Sequence, residues 1–432
     1  MAEWKIVQIK SFLKERESRI KPEEANKMGL KRLNKIDFSG EIHLVNKPTN
    51  TDMILIKSGD LVISGINVEK GAVAVYQGKE DILATIHYSA YIFDETKIDI
   101  EYFKTFLKSK AFRDVINFQI RSGIKTELKA SKFLPLEINL PDLETQEEIR
   151  NKINSSSGEI SELLTIDNKN ENYIVKLRQQ ILQEAVQGRL VKQDPKDEPA
   201  SELLKKIKAE KDKLIKEGKV RKEKPLKPIS EDEIPYQLPK GWGWVRLGSI
   251  LTLGRGASPR PIDHYTTESN TGVPWIRIGD TDDSKYVYKT RQKITLEGAK
   301  KSVRVTKGDL IMSNSMSFGK PYVLGIDGCI HDGWLYLSFN KKLLNTDYLY
   351  YLLLSQQVYY EQKASGTGVR NLNINRVAEM PISLPPLAEQ KRIVEKVDKL
   401  MTYCDNLEKQ VKENQGNSEK LMLAVLKESF EK

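Results

Sequence analysis

The 432-residue sequence is short of most features that announce a chemistry. It has two cysteines, Cys329 and Cys404, too few for a disulfide framework and suited to a reducing cytoplasm. No apolar run approaches the roughly 18 residues that a membrane span needs, so no membrane partner is expected. The opening stretch MAEWKIVQIKSFLKERESR has no apolar core of a signal peptide, so export is not expected either. The four histidines, His43, His87, His264 and His331, are scattered, and neither cysteine has a Cys-x-x-Cys neighbour, so no zinc or catalytic-dyad spacing appears. A phosphate loop is missing, because Gly319-Lys320 runs into Pro321. There is no glycine-rich cofactor loop after a strand and no Asn/Asp-Pro-Pro-aromatic methyltransferase box. Pro141-Asp142 with Glu147 and Lys152 imitates a nuclease carboxylate set, but it falls where a long helix begins and reads as a charged first turn. The expectation is a chain with no catalytic residues, no metal and no cofactor.

Charge is abundant but unevenly placed. The net charge is +10, yet residues 205–228 alone carry 11 Lys/Arg against 4 Asp/Glu. That surplus of seven leaves three for everything else, so net charge argues only weakly for nucleic acid. The charged stretch reads as an amphipathic helix, 202–217, followed by a Pro/Lys-rich tether with a solvated face.

What the chain does have is an internal repeat. Trp4-Lys-Ile-Val-Gln-Ile9 answers Trp244-Val-Arg-Leu-Gly-Ser-Ile250, and Ser58-Gly-Asp-Leu-Val-Ile-Ser64 answers Lys307-Gly-Asp-Leu-Ile-Met-Ser313. Glu101-Tyr-Phe-Lys-Thr-Phe-Leu107 pairs with Asp347-Tyr-Leu-Tyr-Tyr-Leu-Leu353, and Ile138-Asn-Leu-Pro-Asp-Leu143 with Ile382-Ser-Leu-Pro-Pro-Leu387. The offsets are 240, 249, 246 and 244, so order holds and only loop-sized shifts intervene. After each Leu-Pro comes Gln146 or Gln390, then a proline-free run with helical periodicity. Steps of four and three through Ile149, Ile153, Ser156, Ile160, Leu163, Asp167, Asn170, Ile174, Leu177 and Ile181 trace a mostly apolar seam. Ile393, Val397, Leu400, Cys404, Leu407, Val411, Asn414, Ser418, Leu421 and Val425 trace its counterpart. Asn170 and Asn414 share one slot, either as register-fixing polar residues or as marks of a bulged segment. Each helix of about 40 residues, roughly 60 Å long, needs a partner. The simplest is the other copy, antiparallel, and the alternative is another subunit.

The fold class predicted is α+β: two pseudo-two-fold-related mixed α/β domains joined by two long helices forming an antiparallel coiled coil. The boundaries read as 1–143 and 241–387 for the domains, 144–191 and 388–432 for the helices, and 192–240 for the charged helix and linker. Short apolar runs at Ile54–Ile56, Leu61–Ile63, Val73–Val75, Trp275–Ile278, Leu310–Met312 and Leu335–Leu337 look like strands, with closing helices at 99–111 and 346–363. Two similar units on two similar struts suit a pseudo-symmetric reader of duplex DNA, whose half-sites recur by rotation and translation.

These motifs resemble the specificity subunit of type I restriction–modification enzymes. The resemblance rests on the repeated Gly-Asp-Leu-Ile/Val-x-Ser and on Leu-Pro-x-Leu-x-x-Gln-x-x-Ile at 140–149 and 384–393. It also rests on the central Leu182-Gln-Glu-Ala-Val-Gln-Gly-Arg-Leu190, Asp197–Leu204, Glu233-Ile-Pro235 and Leu238–Trp242. It implies a non-catalytic DNA-specificity subunit with two target-recognition domains, each reading one half of a split asymmetric site, and helices acting as a ruler. Its implied partners are double-stranded DNA, two methyltransferase subunits and motor-nuclease subunits. The first unit departs from the pattern: it lacks the Pro274-Trp-Ile276 and Gly279-Asp280 signature and has Arg121-Ser-Gly-Ile-Lys125 in place of a Gly-Thr-Gly loop. The rival readings are a coiled-coil scaffold that ignores DNA and a fused methyltransferase or nuclease.

Candidate DNA-binding residues follow from side-chain chemistry. In the second unit, Thr367 can donate to phosphate and Arg370 or Asn371 can read guanine or adenine edges, although Gly366–Asn371 reads equally as a tight turn. Arg255, Arg260 and Arg277 lie in Gly/Ser/Pro-rich loops, where phosphate contact is commoner than base reading. Ser313, Asn314 and Ser315 follow the Gly-Asp-Leu strand, and Lys320 is a phosphate candidate. In the first unit the counterparts are Ser64, Asn67 and Lys70, then Arg121, Ser122, Lys125 and Lys129. Trp4 and Trp244 read as core anchors, as do most of Tyr348, Tyr350, Tyr351, Tyr359 and Tyr360.

Overall fold

A computed structural model describes residues 4–66, 72–120, 128–220, 225–314, 319–357 and 372–430. The chain divides into two units, 1–169 with 411–432, and 170–410. Each holds one mixed α/β domain and one stretch of each long helix.

In the first unit one sheet runs Leu13–Glu15, Tyr88–Phe93, Leu61–Ser64, Val73–Val75, and the other runs Ile42–Val45, Arg32–Ile36, Ile82–Thr85, Met53–Ile56. The second unit repeats both orders. Thr252–Arg255, Trp334–Ser338, Leu310–Ser313 and Pro321–Leu324 form one sheet, and Gln292–Ile294, Val273–Ile276, Gly328–Ile330 and Val303–Val305 form the other. Each sheet there gains one short extra strand, Tyr286–Val287 or Thr266–Thr267. Even the parallel pairing recurs in its place, Arg32–Ile36 with Ile82–Thr85 and Val273–Ile276 with Gly328–Ile330. The two domains therefore share one topology, as the sequence repeat predicts.

The repeated motifs do the same physical work in both copies. Gly59 and Gly308 sit at φ +88° and +82°, where a side chain would be strained. The amides of Gly59 and Gly308 donate to Tyr76 and Leu324 carbonyls at 2.7 Å in each case. The carboxylates of Asp60 and Asp309 accept from the amide three residues back, Lys57 and Thr306, both at 2.8 Å. Asp60 also takes a two-pronged Arg16 ion pair at 2.6 and 2.7 Å, whereas Asp309 takes the more exposed Lys341. The motif is a turn device that launches the central strand.

Gln146 and Gln390, both fully buried, are the second device. Their side-chain amides donate to Pro141 and Pro385 carbonyls at 2.8 and 3.1 Å, and their oxygens accept from the amides of Asp99 and Asn345 at 2.8 and 2.9 Å. Asp99 and Asn345 are the N-caps of Ile100–Lys108 and Thr346–Ser355. Each glutamine thus pins the start of a long helix to the start of its domain's closing helix. Each long helix follows a two-stranded ribbon, Lys5–Gln8 with Glu137–Leu140, or Gly243–Arg246 with Pro381–Leu384.

The long helices are Leu143–Val186 and Leu387–Phe430, each 44 residues. Within the first unit, Lys152 pairs with Glu428, and Ile149 and Ile153 pack with Val425, Leu426 and Phe430. Within the second, Arg178 reaches Asp405 and Glu408 at 2.6 and 3.2 Å. The two helices thus form an antiparallel coiled coil. Ile153, Ile160, Asp167, Ile174 and Ile181 are buried, as are Val397, Cys404, Val411 and Ser418. The alternate row differs from the expected seam. Leu163, Leu177, Leu407 and Leu421 are 44–51% exposed, and Asn414 is exposed too. Leu164, Arg178, Glu408 and Met422, one residue further on, are the more covered. At 3.6 residues per turn the +3 and +4 rows flank the seam about equally, roughly 50° to either side, so the period alone does not decide which row the partner helix covers.

The first unit's core is aromatic, with Phe12, Tyr91, Tyr102, Phe103, Phe112 and Phe133 nearly inaccessible. The second centres on Trp334, packed edge-on to Tyr322 at 5.6 Å. Tyr348, Tyr350 and Tyr351 are buried, while Tyr359 and Tyr360 lie outside the described residues. Trp4 and Trp244 are only half-buried, and Trp244 lies 4.9 Å from the Tyr236 ring.

The charged stretch is less free than its composition suggests. Helix Ala200–Lys216 buries Leu203 and Ile207. Downstream, the Arg246 guanidinium, 8% exposed, donates to the carbonyls of Lys227, Pro228 and Glu379 and pairs with Glu233. That arginine holds Glu233 well below the ordinary carboxylate value, at about 2.

Candidate nucleic-acid interface

In each unit the strand after the Gly-Asp-Leu turn ends beside two other segments. Gly65 donates to the His87 carbonyl at 3.1 Å and accepts from the Leu128 amide at 2.8 Å. Asn314 does the same with Gly333 and Leu372, both at 3.0 Å. The same three points of the fold are stitched together twice. Leu128 and Leu372 follow the stretches where the sequence places its loop candidates. Of those candidates, Asn67, Lys70, Arg121, Ser122, Lys125, Ser315, Thr367, Arg370 and Asn371 lie outside the described residues.

The second unit's described candidates gather around a residue that sequence reading did not single out, Asp332. Its backbone carbonyl accepts from Arg255 Nε at 2.8 Å and from Asn314 Nδ2 at 3.0 Å. Its carboxylate accepts from Ser258 Oγ at 2.7 Å and from Arg260 Nη2 at 3.2 Å. Gly256 makes this approach possible, since a Cβ there would meet the His331 carbonyl at 2.1 Å. The His331 ring packs edge-on to Trp275 at 6.1 Å, and the Arg277 guanidinium lies 5.6 Å from the Trp275 ring. Arg255, Arg260, Arg277 and Asn314 thus form one polar cluster with His331, Asp332 and Trp275.

The electrostatics of the cluster follow from its burial and charge. Burial pushes His331 below its ordinary value, and the Arg277 and Arg260 charges add to this against the pull of Asp332. Partial burial by itself pushes the Asp332 carboxyl up. The Ser258 hydroxyl and the His331 and Arg260 charges outweigh it, so the group stays ionised below the usual range. Three buried polar atoms here, Trp275 Nε1, Arg277 Nε and Asn314 Oδ1, have no hydrogen-bond partner among the described residues. Unsatisfied buried groups are uncommon in native folds and mark a place of use or strain.

The remaining candidates are placed differently. Ser313 is fully buried and Ser64 nearly so, because the strand that carries them is covered on both faces. Lys320 is 18% exposed and already engaged by Asp283 at 2.9 Å and the Asp282 carbonyl at 3.3 Å, above the Tyr322 ring. Lys129 is exposed just before helix Ala130–Phe133. The only trace of the Asp332 cluster in the sequence was the neighbouring Pro274-Trp-Ile and Gly-Asp pattern. An Asp in a His-Asp-Gly turn carries no signal of its own.

Comparison with known proteins places these features. Residues 239–415 match the family described as type I restriction modification DNA specificity domain. The EcoEI specificity subunit of Escherichia coli is 32% identical over 257 residues, covering 55% of this chain and 42% of its own length. The EcoAI specificity subunit of the same species is 35% identical over 251 residues, covering 55% and 41%. This chain therefore spans about two-fifths of the length of those relatives. The fold is that of the HsdS subunit from Thermoanaerobacter tengcongensis, with TM-score 0.58 and 18% identity over 99% of this chain and 96% of that one. A chain from the structure described as the basis of complex assembly and conformational transition of the type I R-M system gives TM-score 0.65 at 17% identity, covering 99% and 97%. Among the described residues no helix is long and apolar enough to cross a membrane. Residues 239–415 thus match a type I restriction modification DNA specificity domain, and the chain as a whole is similar in fold to type I specificity subunits.

Proposed function

We propose that this chain is the DNA sequence-specificity subunit of a type I restriction–modification complex, with no catalytic centre of its own. Each domain reads one half of a split asymmetric duplex site, and the two long helices set the gap between the halves. The observation that carries this reading is the repeated stitching of the same three segments, at Gly65 and at Asn314, in two domains of one topology. It supports two equivalent reading edges whose side chains differ, as two different half-sites require. The arginines around Asp332 supply donors of the kind that read guanine or hold phosphate. Lys129 and the loop candidates of both units belong to the same proposal.

Methyltransferase and motor-nuclease subunits are the protein partners in this reading. The central helix leaves Leu163, Ile166, Tyr173 and Leu177 between 44% and 62% exposed, at heptad-like spacing, which suits a helix from such a partner. The test is selection from a random duplex pool with the full chain and its methyltransferase partner. The expected product is a two-part motif with a fixed gap, and exchanging residues 241–382 for another such domain should change one part only. No enrichment would favour a scaffold, and S-adenosylmethionine binding by the chain alone would favour an enzyme.

A further inference from the structure

We infer that Asp332 is a specificity-determining positioning residue of the second domain: its backbone carbonyl holds Arg255 and its carboxylate holds Arg260, so that both DNA-facing arginines keep a fixed direction, the carboxylate doing so at a cost in raw affinity. The inference rests on the DNA-reading function proposed above and goes beyond it by naming what aims the arginines. A negative charge beside a polyanion is repulsive, so attraction to DNA does not explain it. The hydrogen bonds do. Asp332 engages four side chains from three other parts of the domain: Arg255 at a strand end, Ser258 and Arg260 in the following loop, and Asn314 after the central strand. The Ser258 hydroxyl is met twice, since it donates to the carboxylate and accepts from the Asp332 amide at 3.3 Å.

The bonding leaves the arginines usable. Arg255 spends only its Nε on the Asp332 carbonyl, and Arg260 spends one Nη on the carboxylate. Their other N–H groups have no partner among the described residues. For Arg255 the free pair is the end-on Nη1/Nη2 edge, the edge that matches the two acceptors of guanine. Arg260 is 73% exposed in its side chain, so without the carboxylate nothing described would hold it in one direction. Two long cationic side chains without an anchor bind phosphates indiscriminately, while anchored ones present their donors in a fixed frame.

Asp332→Asn tests this with two readouts that move in opposite directions. The substitution keeps the side-chain shape and the backbone carbonyl but removes the charge. Affinity for unrelated duplex should rise several-fold at low salt, with a steeper salt dependence. Preference for the selected second half-site should fall about 10-fold, the worth of the single arginine contact, that of Arg260, which the carboxylate aims, while Arg255 stays on the backbone carbonyl and the first half-site is read as before. Arg260→Ala in the Asp332→Asn background should cost little further preference, because the arginine is no longer aimed. Equal preference in wild type and Asp332→Asn, or a loss without the rise in unrelated-duplex affinity, overturns the inference. If Asp332→Asn fails to fold, Ser258→Ala and Arg260→Ala serve instead, and unchanged second-half preference in both overturns it. Wild-type chain that enriches no motif at all sinks the DNA-reading function itself, a result distinct from the others.

Discussion

Replacing Gln390 by alanine probes the device that joins a long helix to its domain. The side chain is fully buried and bridges the Pro385 carbonyl to the Asn345 amide. Alanine leaves both backbone groups without that partner, at about 1–3 kcal/mol each when water cannot reach them. Asn345 is only partly buried, so some of that loss is recovered by solvent, and the expected total is about 2–4 kcal/mol. The assay is urea unfolding followed by tryptophan fluorescence. Trp242, Trp244, Trp275 and Trp334 all lie in the second unit and only Trp4 in the first, so the signal reports the unit being perturbed. The midpoint should fall with little change in slope. Gln390→Glu should be worse at neutral pH, since it sets a carboxylate oxygen against the Pro385 carbonyl. A Gln390→Ala variant within about 0.5 kcal/mol of wild type refutes the clamp, because surface-like substitutions fall in that range.

Two further predictions follow from buried carboxylates. Asp60→Ala should destabilise its unit more than Asp309→Ala does the other, by calorimetry. Asp60 anchors Arg16 with 2% side-chain exposure, while the Lys341 partner of Asp309 is 45% exposed and well screened. Glu389 is 1% exposed; burial pushes its carboxyl up, partly offset by hydrogen bonds from the Trp242 indole and the Gln193 amide. The folded form therefore holds the proton more tightly than the unfolded one. The resulting stabilisation is fully present below the unfolded value of about 4.3 and is lost as pH rises through the raised value. Urea midpoints of wild type minus Glu389→Gln should decline across that window, and a pH-independent difference contradicts the assignment.

The repeat was legible because its motifs are bonding devices with fixed local geometry. Gly-Asp needs a left-handed glycine and a carboxylate that reaches three residues back, and Leu-Pro-x-Leu-x-x-Gln needs an amide five residues past a proline carbonyl. Both leave spaced residues in the sequence. The seam was legible in period but not in phase, because steps of +3 and +4 look alike among mixed residues, as Leu163 against Leu164 shows. The candidate site was legible only in part. Arg255 and Arg260 meet Asp332 across 77 and 72 residues, and no local spacing encodes that meeting. Ser64 and Ser313 follow the right motif but sit in a strand covered on both faces. The charged stretch looked like a tether because its anchor, Arg246, lies outside it.

The measurement closest to the central claim removes one matched heptad from each long helix and repeats the duplex selection. Seven residues shorten a helix by about 10 Å, or roughly three base pairs of duplex. The account predicts both half-sequences retained and the spacer between them shortened. A spacer left as it was, with one half-sequence altered, contradicts it.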